Sequence, residues 1–300
     1  MKNATGKQPT ILLLGKYGQL GWELQRCLQP LGKIVAFDYP EINLSKPDSI
    51  RPLIQEVKPT VLINATAYTA VDRAESESDL ALMINGIAPG IMAEACAALD
   101  CILIHYSTDY VFDGTKGSPY LENDPPNPLN QYGRSKLRGE QAIEQVGGFY
   151  LIFRTAWVYS LRGDSFVRKV LQWSRQQETL RVVEDQISNP TWARMLAEIT
   201  ALLLARQPSS SFDWLKEHTG IYHLAGDGYC SRYEWAQAIL SADPHPDEQV
   251  CRQVLPAKTA EFPTPAQRPL FSALDCQRFI STFGLRLPVW REALALALAG

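Results

Sequence analysis

Through the first 155 residues, short apolar runs alternate with stretches whose apolar positions recur at helical spacing. The runs Thr10–Leu14, Ile34–Asp38, Val61–Ala65, Cys101–Ser107 and Tyr150–Thr155 each end in a turn or a polar residue, the pattern of buried strands. Between them the spacing predicts four helices. One follows Gly21, with apolar positions at Leu24, Cys27, Leu28 and Leu31. A second covers Asp48–Val57, with Pro47 at its start and Pro59 past its end. A third covers Leu80–Leu99, interrupted near Pro89, and a fourth covers Tyr132–Gln145. Strands alternating with helices imply right-handed crossovers and a doubly wound parallel α/β sheet. Ligands of such sheets sit at the carboxyl ends of the strands.

Past residue 155 the rhythm changes. Proline-bearing loops appear at 188–190, 261–265 and 268–269, with helical spacing at Phe166–Arg175, Trp192–Ala205 and Tyr233–Leu240. The expected division is a dinucleotide-binding domain over residues 1–160. Residues 161–300 form mainly a smaller α/β substrate lobe, with some segments returning to the first domain. A short frayed lead before the first strand and a polar surface link over Gln207–Ser211 complete the outline.

Composition narrows the partners. The formal charge is −3, so there is no basic excess to draw nucleic acid. The run Ile11–Leu14 is too short for a signal segment, and no apolar stretch approaches the length of a membrane span; the expected location is the cytoplasm. The six cysteines (Cys27, Cys96, Cys101, Cys230, Cys251, Cys276) form no CxxC pair, and the four histidines form no HExxH, which points to reduced core thiols and no metal site.

Gly15-Lys16-Tyr17-Gly18-Gln19-Leu20-Gly21 is a GxxGxxG loop between a strand and an amphipathic helix. Glycines let the backbone turn and approach a pyrophosphate, and a helix N-terminus offers it free N–H groups. In this setting the loop marks a Rossmann-type sheet binding NADPH or NADH. Asp38 ends the second strand, where an acid bonds ribose hydroxyls and repels a 2′-phosphate; it can equally be a turn or cap residue. Lys16 can offset that repulsion by pairing with a phosphate. Tyr132 and Lys136 lie four apart, on one helix face, and Tyr132 is the one tyrosine of twelve with lysine at that spacing. A reduced ketone needs a proton, and an ammonium beside a phenol lowers its pKa from about 10. Ser107, Thr108 and Asp109 end a strand at the same crevice, where a hydroxyl can hold a carbonyl.

The chain resembles the extended short-chain dehydrogenase/reductases from about Ile11 to Pro288. The resemblance rests on GKYGQLGWELQ (15–25), NATAYTAVDRAE (64–75), HYSTDYVFDG (105–114), PLNQYGRSKLRGE (128–140), FRTAWVY (153–159), VVEDQISNPT (182–191), YHLAGDG (222–228) and PTPAQRPLFSAL (263–274). It implies Tyr132 as proton donor, Lys136 as its partner and Thr108 as the carbonyl-orienting hydroxyl. It also implies Gly18, Gln19, Leu20, Ala65, Thr66 and Ala67 along the cofactor, and Thr108, Asp109 and Trp157 against the sugar. For Asp72 and Asn85 local hydrogen bonding is the expectation. Arg268 can meet a diphosphate, and Gln186 and Thr191 can line the cleft, though each can equally be structural.

The implied reaction is NAD(P)H-dependent reduction of a nucleotide-linked 4-keto-6-deoxysugar. A dinucleotide-binding regulatory subunit is the alternative, and the intact Thr108–Tyr132–Lys136 set argues against it. Three positions depart from the family pattern. Thr66 replaces an alanine, and Asn43-Leu44 replaces an acidic-apolar pair near the adenosine end. Arg194 replaces a glutamate that in some relatives helps hold Mg2+ between the subunits of a homodimer. Glu23 remains, but one carboxylate does not make a magnesium site.

Overall fold

The computed structural model describes residues 8–206 and 212–299. Most of the frayed lead and the Gln207–Ser211 link lie outside the described residues. The first half runs β1 (Thr10–Leu14), α1 (Gln19–Cys27), β2 (Lys33–Phe37), α2 (Ile50–Val57), β3 (Val61–Asn64), α3 (Ser78–Leu82), α4 (Ala88–Ala98), β4 (Ile102–Thr108), α5 (Gln131–Val146) and β5 (Tyr150–Thr155). The second half runs β6 (Val158–Tyr159), α6 (Phe166–Ser174), β7 (Thr179–Val183), β8 (Ile187–Ser188), β9 (Thr191–Trp192) and α7 (Ala193–Ala205). It continues with α8 (Asp213–Lys216), β10 (Gly220–His223), β11 (Cys230–Ser231), α9 (Arg232–Ser241), β12 (Gln253–Ala257), α10 (Gln277–Phe283) and α11 (Trp290–Leu298).

Six parallel strands form the main sheet in the order β2-β1-β3-β4-β5-β10. The strands read as unbroken apolar runs because both faces are covered. Ile11, Leu13, Val61, Ile63, Ile104 and Phe153 pack with Leu24 of α1, Leu196 of α7 and Phe279 of α10. Leu12, Leu14, Leu62, Leu103 and Ile152 pack on the opposite face with Ile54 of α2, Met92 of α4 and Ile143 of α5. The order reverses at β1, with β2 on one side and β3 on the other, so the crevice opens where these strands end.

Several boundaries differ from the sequence pattern. Helix α1 begins at Gln19, inside the glycine loop, and Leu28 and Leu31 pack on the core from the turn after it. The break near Pro89 is a π-helical turn over Met83–Ile87, just before α4. Proline has no N–H for the Asn85 carbonyl four residues back, and the wider turn accommodates that loss. The whole helical run Ser78–Ala98 is 21 residues, and its most apolar 18-residue window has a mean hydropathy of 1.5, long and apolar enough to cross a membrane by length and composition. That corrects the expectation that no stretch approaches such a length. Half of that window is buried inside the protein, against the sheet and α5.

The second half splits between two bodies. Tyr159, Val167, Val170, Leu180, Trp235, Ile239, Trp290 and Leu294 make a core of their own. Helix α7, grouped by its sequence position with the second lobe, packs instead on α1, and β10 extends the main sheet beside β5. Two-residue strands such as β6, β8, β9 and β11 carry no periodicity for the sequence to show.

Candidate active site

The parallel register brings five strand ends to one edge. Leu14 pairs with Phe37 and with Asn64, Asn64 with His105, and Thr108 with Thr155. A cleft of about 660 Å³ opens there, lined by Gly15, Gly18, Gln19, Leu20, Asp38, Ala65, Thr66, Ala67, Ser107, Thr108, Asp109, Tyr132, Lys136, Thr155, Trp157 and Arg232, among others. Of the residues expected at the site, Gly21 lies off this lining, as do Lys16, Gln186, Thr191 and Arg268, which the sequence left open. A Cβ on Gly21 would stand 1.8 Å from the Gly15 carbonyl oxygen, so its role is to let α1 meet the loop. Gly15 has φ +94°, and a Cβ there would stand 2.9 Å from the Ala65 backbone.

Asp38 locks this loop. Its two carboxylate oxygens accept from the backbone N–H groups of Tyr17 (2.9 Å) and Tyr39 (2.8 Å). Lys16 pairs with Glu41 at 2.6 Å. Three buried side-chain oxygens of the lining, Gln19 Oε1, Ser107 Oγ and Thr155 Oγ1, have no hydrogen-bond partner within the protein. Buried polar groups are nearly always paired, so orphans gathered along one cleft fit a polar ligand. Together with the glycine cradle at a helix N-terminus, the donor set suits a dinucleotide.

Helix α5 carries the proton chemistry. Asn130 caps it, its Oδ1 accepting from Gly133 N at 2.8 Å, and the sixteen residues that follow place Tyr132, Lys136 and Glu140 on one stripe. Lys136 is buried and donates to the Tyr106 carbonyl at 2.6 Å, with His105 Nε2 at 3.2 Å. The structure therefore corrects one expectation. The spacing predicts an ammonium that lowers the Tyr132 pKa, but the Lys136 side chain makes its hydrogen bonds to β4, and the Tyr132 phenol is held well above its ordinary pKa by burial, against the opposing influence of the Thr108 hydroxyl. Burial also lowers the Lys136 pKa to about 8. The Tyr132 ring stands edge-on to Tyr110, centroids 5.9 Å apart.

Thr108 accepts from Tyr110 N and donates to Asp109 Oδ1, both at 3.2 Å. Asp109 also accepts from Ser188 Oγ (3.0 Å) and Ser272 Oγ. Burial pushes its pKa up to about 6, with the three hydroxyls pulling it down. The unfolded value is about 3.9, so the folded state binds this proton more tightly. The resulting stabilisation is complete below about pH 4 and is lost as pH rises through about 6. Urea unfolding of wild type and Asp109→Asn is therefore expected to show the difference moving in favour of wild type as pH falls from about 7 to about 4. A difference that moves the other way contradicts the burial argument.

Comparison with known proteins fits this arrangement. The model of the family described as the RmlD substrate binding domain matches residues 9–300. The chain belongs to that family. A dTDP-4-dehydrorhamnose reductase of Burkholderia thailandensis is 41% identical over 293 residues, covering 95% of this chain and 97% of its own length. The enzyme of that name from Escherichia coli K12 is 38% identical over 286 residues, 94% of each chain. A solved dTDP-4-dehydrorhamnose reductase of Bacillus anthracis, in complex with NADP, superposes with a TM-score of 0.87 at 33% identity, covering 97% of this chain and 99% of that one.

The positions where this RmlD-family chain departs from the pattern have local explanations. Asn43 Oδ1 closes a turn onto Ser45 N (3.0 Å) and Ser45 Oγ (2.7 Å). Arg194 pairs with Glu198 at 2.9 Å and its charge also acts on Glu23, so a guanidinium stands beside that carboxylate. Among the described residues, no three His, Cys, Asp or Glu gather as metal ligands. Asp72 holds Arg268 with two bonds of 2.6 and 2.7 Å, which occupies the arginine considered for a diphosphate. Asn85 bonds the backbone of Tyr68 and Ser135 Oγ. Gln186 bonds Thr259 Oγ1, and Thr191 Oγ1 bonds the backbone at Asn189 and Gly226.

Two features of the lining escape the sequence. Trp157 has φ +39°, a left-handed backbone rare for so large a residue, and it stacks on Trp235 with centroids 5.4 Å apart. The Arg232 guanidinium lies 3.6 Å from the centroid of the Trp157 ring, and its charge acts on Asp109 and Tyr110. Arg232 opens α9 as an ordinary first-turn residue in the sequence, and only the tertiary fold turns it into the cleft.

Proposed function

We propose that this chain reduces the C4 ketone of dTDP-4-dehydro-β-L-rhamnose to the alcohol of dTDP-β-L-rhamnose, the last step in making that activated sugar. The observation that carries the reading is the convergence of Thr108, Tyr132 and Lys136 with the glycine loop on one cleft. The 41% identity to a dTDP-4-dehydrorhamnose reductase over nearly the whole chain supports the same reading. NADPH or NADH supplies the hydride when bound. Gly15, Gly18, Gln19 and Leu20 would hold the pyrophosphate, with Gly21 letting α1 meet the loop, Asp38 fixing it and Ala65, Thr66 and Ala67 alongside. Thr108 orients the ketone, and the Tyr132 hydroxyl gives its proton to the C4 oxygen as that oxygen becomes negative. Solvent then restores the phenol. Lys136 steadies the phenolate and bonds the cofactor's ribose. Asp109, Trp157 and Arg232 receive the sugar.

On this reading residues 1–160 are mainly the dinucleotide domain and residues 161–300 mainly the substrate lobe. The location is the cytoplasm, and the partners are the nucleotide sugar and a second copy of the chain.

The test is turnover of dTDP-4-dehydro-L-rhamnose, generated in a coupled assay, with NADPH and NADH in turn and beside other dTDP-4-keto-6-deoxysugars. The highest kcat/KM is expected for the rhamnose precursor. A preference for another sugar, or dinucleotide binding without turnover, would sink the reading.

A further inference from the structure

The contacts that hold Lys136 lead from the cleft floor back to the cofactor loop. His105 is fully buried; its Nε2 lies 3.2 Å from Lys136 Nζ, and its Nδ1 lies 3.0 Å from Asn64 Nδ2. The Asn64 amide has a fixed orientation. Its Oδ1 accepts from the Thr66 backbone N–H at 3.1 Å and from the Thr66 hydroxyl at 2.5 Å. A backbone N–H only donates, so the atom facing it is the oxygen, and the atom facing His105 is the NH2. An NH2 also only donates, so His105 Nδ1 accepts. The neutral imidazole then carries its hydrogen on Nε2, aimed at Nζ. An ammonium has no lone pair to receive it, whereas an amine has one. An imidazolium beside an ammonium would bury two like charges.

We propose that Thr66 and Asn64 hold His105 as its Nε2–H tautomer, and that His105 thereby favours the uncharged amine of Lys136 in the cofactor-free protein, so that the lysine takes up protons as the dinucleotide enters. The second half of this proposal rests on the reading of the cleft as a dinucleotide site; the tautomer does not. The other charges around Lys136 are few. Glu140 lies one turn along α5 and raises its proton affinity, but that carboxylate is bound by Arg154 of β5. Tyr132 lies one turn back, uncharged, and Asp109 at the end of β4 faces Arg232 of α9. Burial holds His105 far below its ordinary pKa, and any ammonium at Lys136 lowers it further, in keeping with a neutral ring. The incoming phosphates bring the negative charge that favours an ammonium. His105 is thus a positioning residue, and the charge on the Tyr132 partner is complete only in the binary complex.

Nitrogen NMR of histidine-labelled protein tests the tautomer directly, without cofactor. His105 is expected to show a protonated Nε2 and an unprotonated Nδ1. In lysine-labelled protein, Lys136 (assigned by its loss in Lys136→Arg) is expected to titrate below the other lysines. Adding NADPH near its midpoint should draw protons from the solution, read as a buffer-dependent binding enthalpy. His105→Gln presents an amide oxygen that accepts from an ammonium. It should move the Lys136 titration up by about one pH unit and shrink the proton uptake at least twofold. Thr66→Ala, which keeps the backbone donor, should shift it less in the same direction. A protonated Nδ1, or a Lys136 that titrates with the surface lysines, overturns the proposal in wild type alone, whether or not either variant folds. Failure to bind NADPH would instead count against the functional reading.

Discussion

Tyr132→Phe is expected to lower kcat/KM for the ketosugar by roughly 10²- to 10⁴-fold, the span typical for loss of a positioned general acid. Affinity for NADPH and the unfolding midpoint should stay close to wild type. The separation follows from the geometry. The hydroxyl is the only atom removed, and the ring keeps its edge-on contact with Tyr110 at 5.9 Å. The glycine loop that would hold the pyrophosphate lies on β1 and α1, across the cleft from α5. Burial holds the free phenol well above its ordinary pKa, so it is fully protonated at neutral pH and ready to donate. Steady-state kinetics and fluorescence titration with NADPH measure the two quantities. Turnover within about threefold of wild type would remove Tyr132 from the chemistry, because even a weak general acid contributes more than that.

Much of this site could be read from the sequence because its parts are local. The glycine loop, the Tyr132–Lys136 pair and the Ser107–Asp109 strand end each occupy a few consecutive residues. One rule, that ligands gather at the carboxyl ends of parallel strands, brings them together. The five strands of the first half were legible for a related reason: burial on both faces leaves an unbroken apolar run such as Ile11–Leu14.

What escaped depends on pairings distant in sequence. The contact of His105 with Lys136 spans 31 positions, and that of Asn64 with His105 spans 41. Ser188 and Ser272 reach Asp109 across 79 and 163 positions. No periodicity encodes such contacts. The expectation that the Lys136 ammonium lowers the Tyr132 pKa met its limit at this level: spacing puts both side chains on one helix face, but the hydrogen bonds of Nζ are decided by β4, which the helix packs against. Arg232 was missed because a charged residue in the first turn of a helix reads as solvated until the fold shows what stands opposite.

The largest effect on stability is expected one turn beyond Lys136. Glu140 and Arg154 form an ion pair whose side chains are 1% and 3% exposed, with Arg154 Nη2 at 2.7 Å and Nε at 3.0 Å from the carboxylate oxygens. The pair ties α5 to β5 beneath the cleft. Arg154 also reaches the Glu122 carbonyl at 3.3 Å and lies over the Phe112 ring. Those contacts do not neutralise its charge. Glu140→Ala leaves a guanidinium buried without its carboxylate, a change that costs about 3–5 kcal/mol. Glu140→Gln keeps the volume and one acceptor, and is expected to lose less. Urea unfolding of the two variants against wild type measures both, and a loss below about 1 kcal/mol for Glu140→Ala would mean that water reaches the pair. The same carboxylate raises the proton affinity of Lys136. In any folded fraction of Glu140→Ala the lysine should therefore titrate lower still, which joins the structural ion pair to the charge on which the proton chemistry depends.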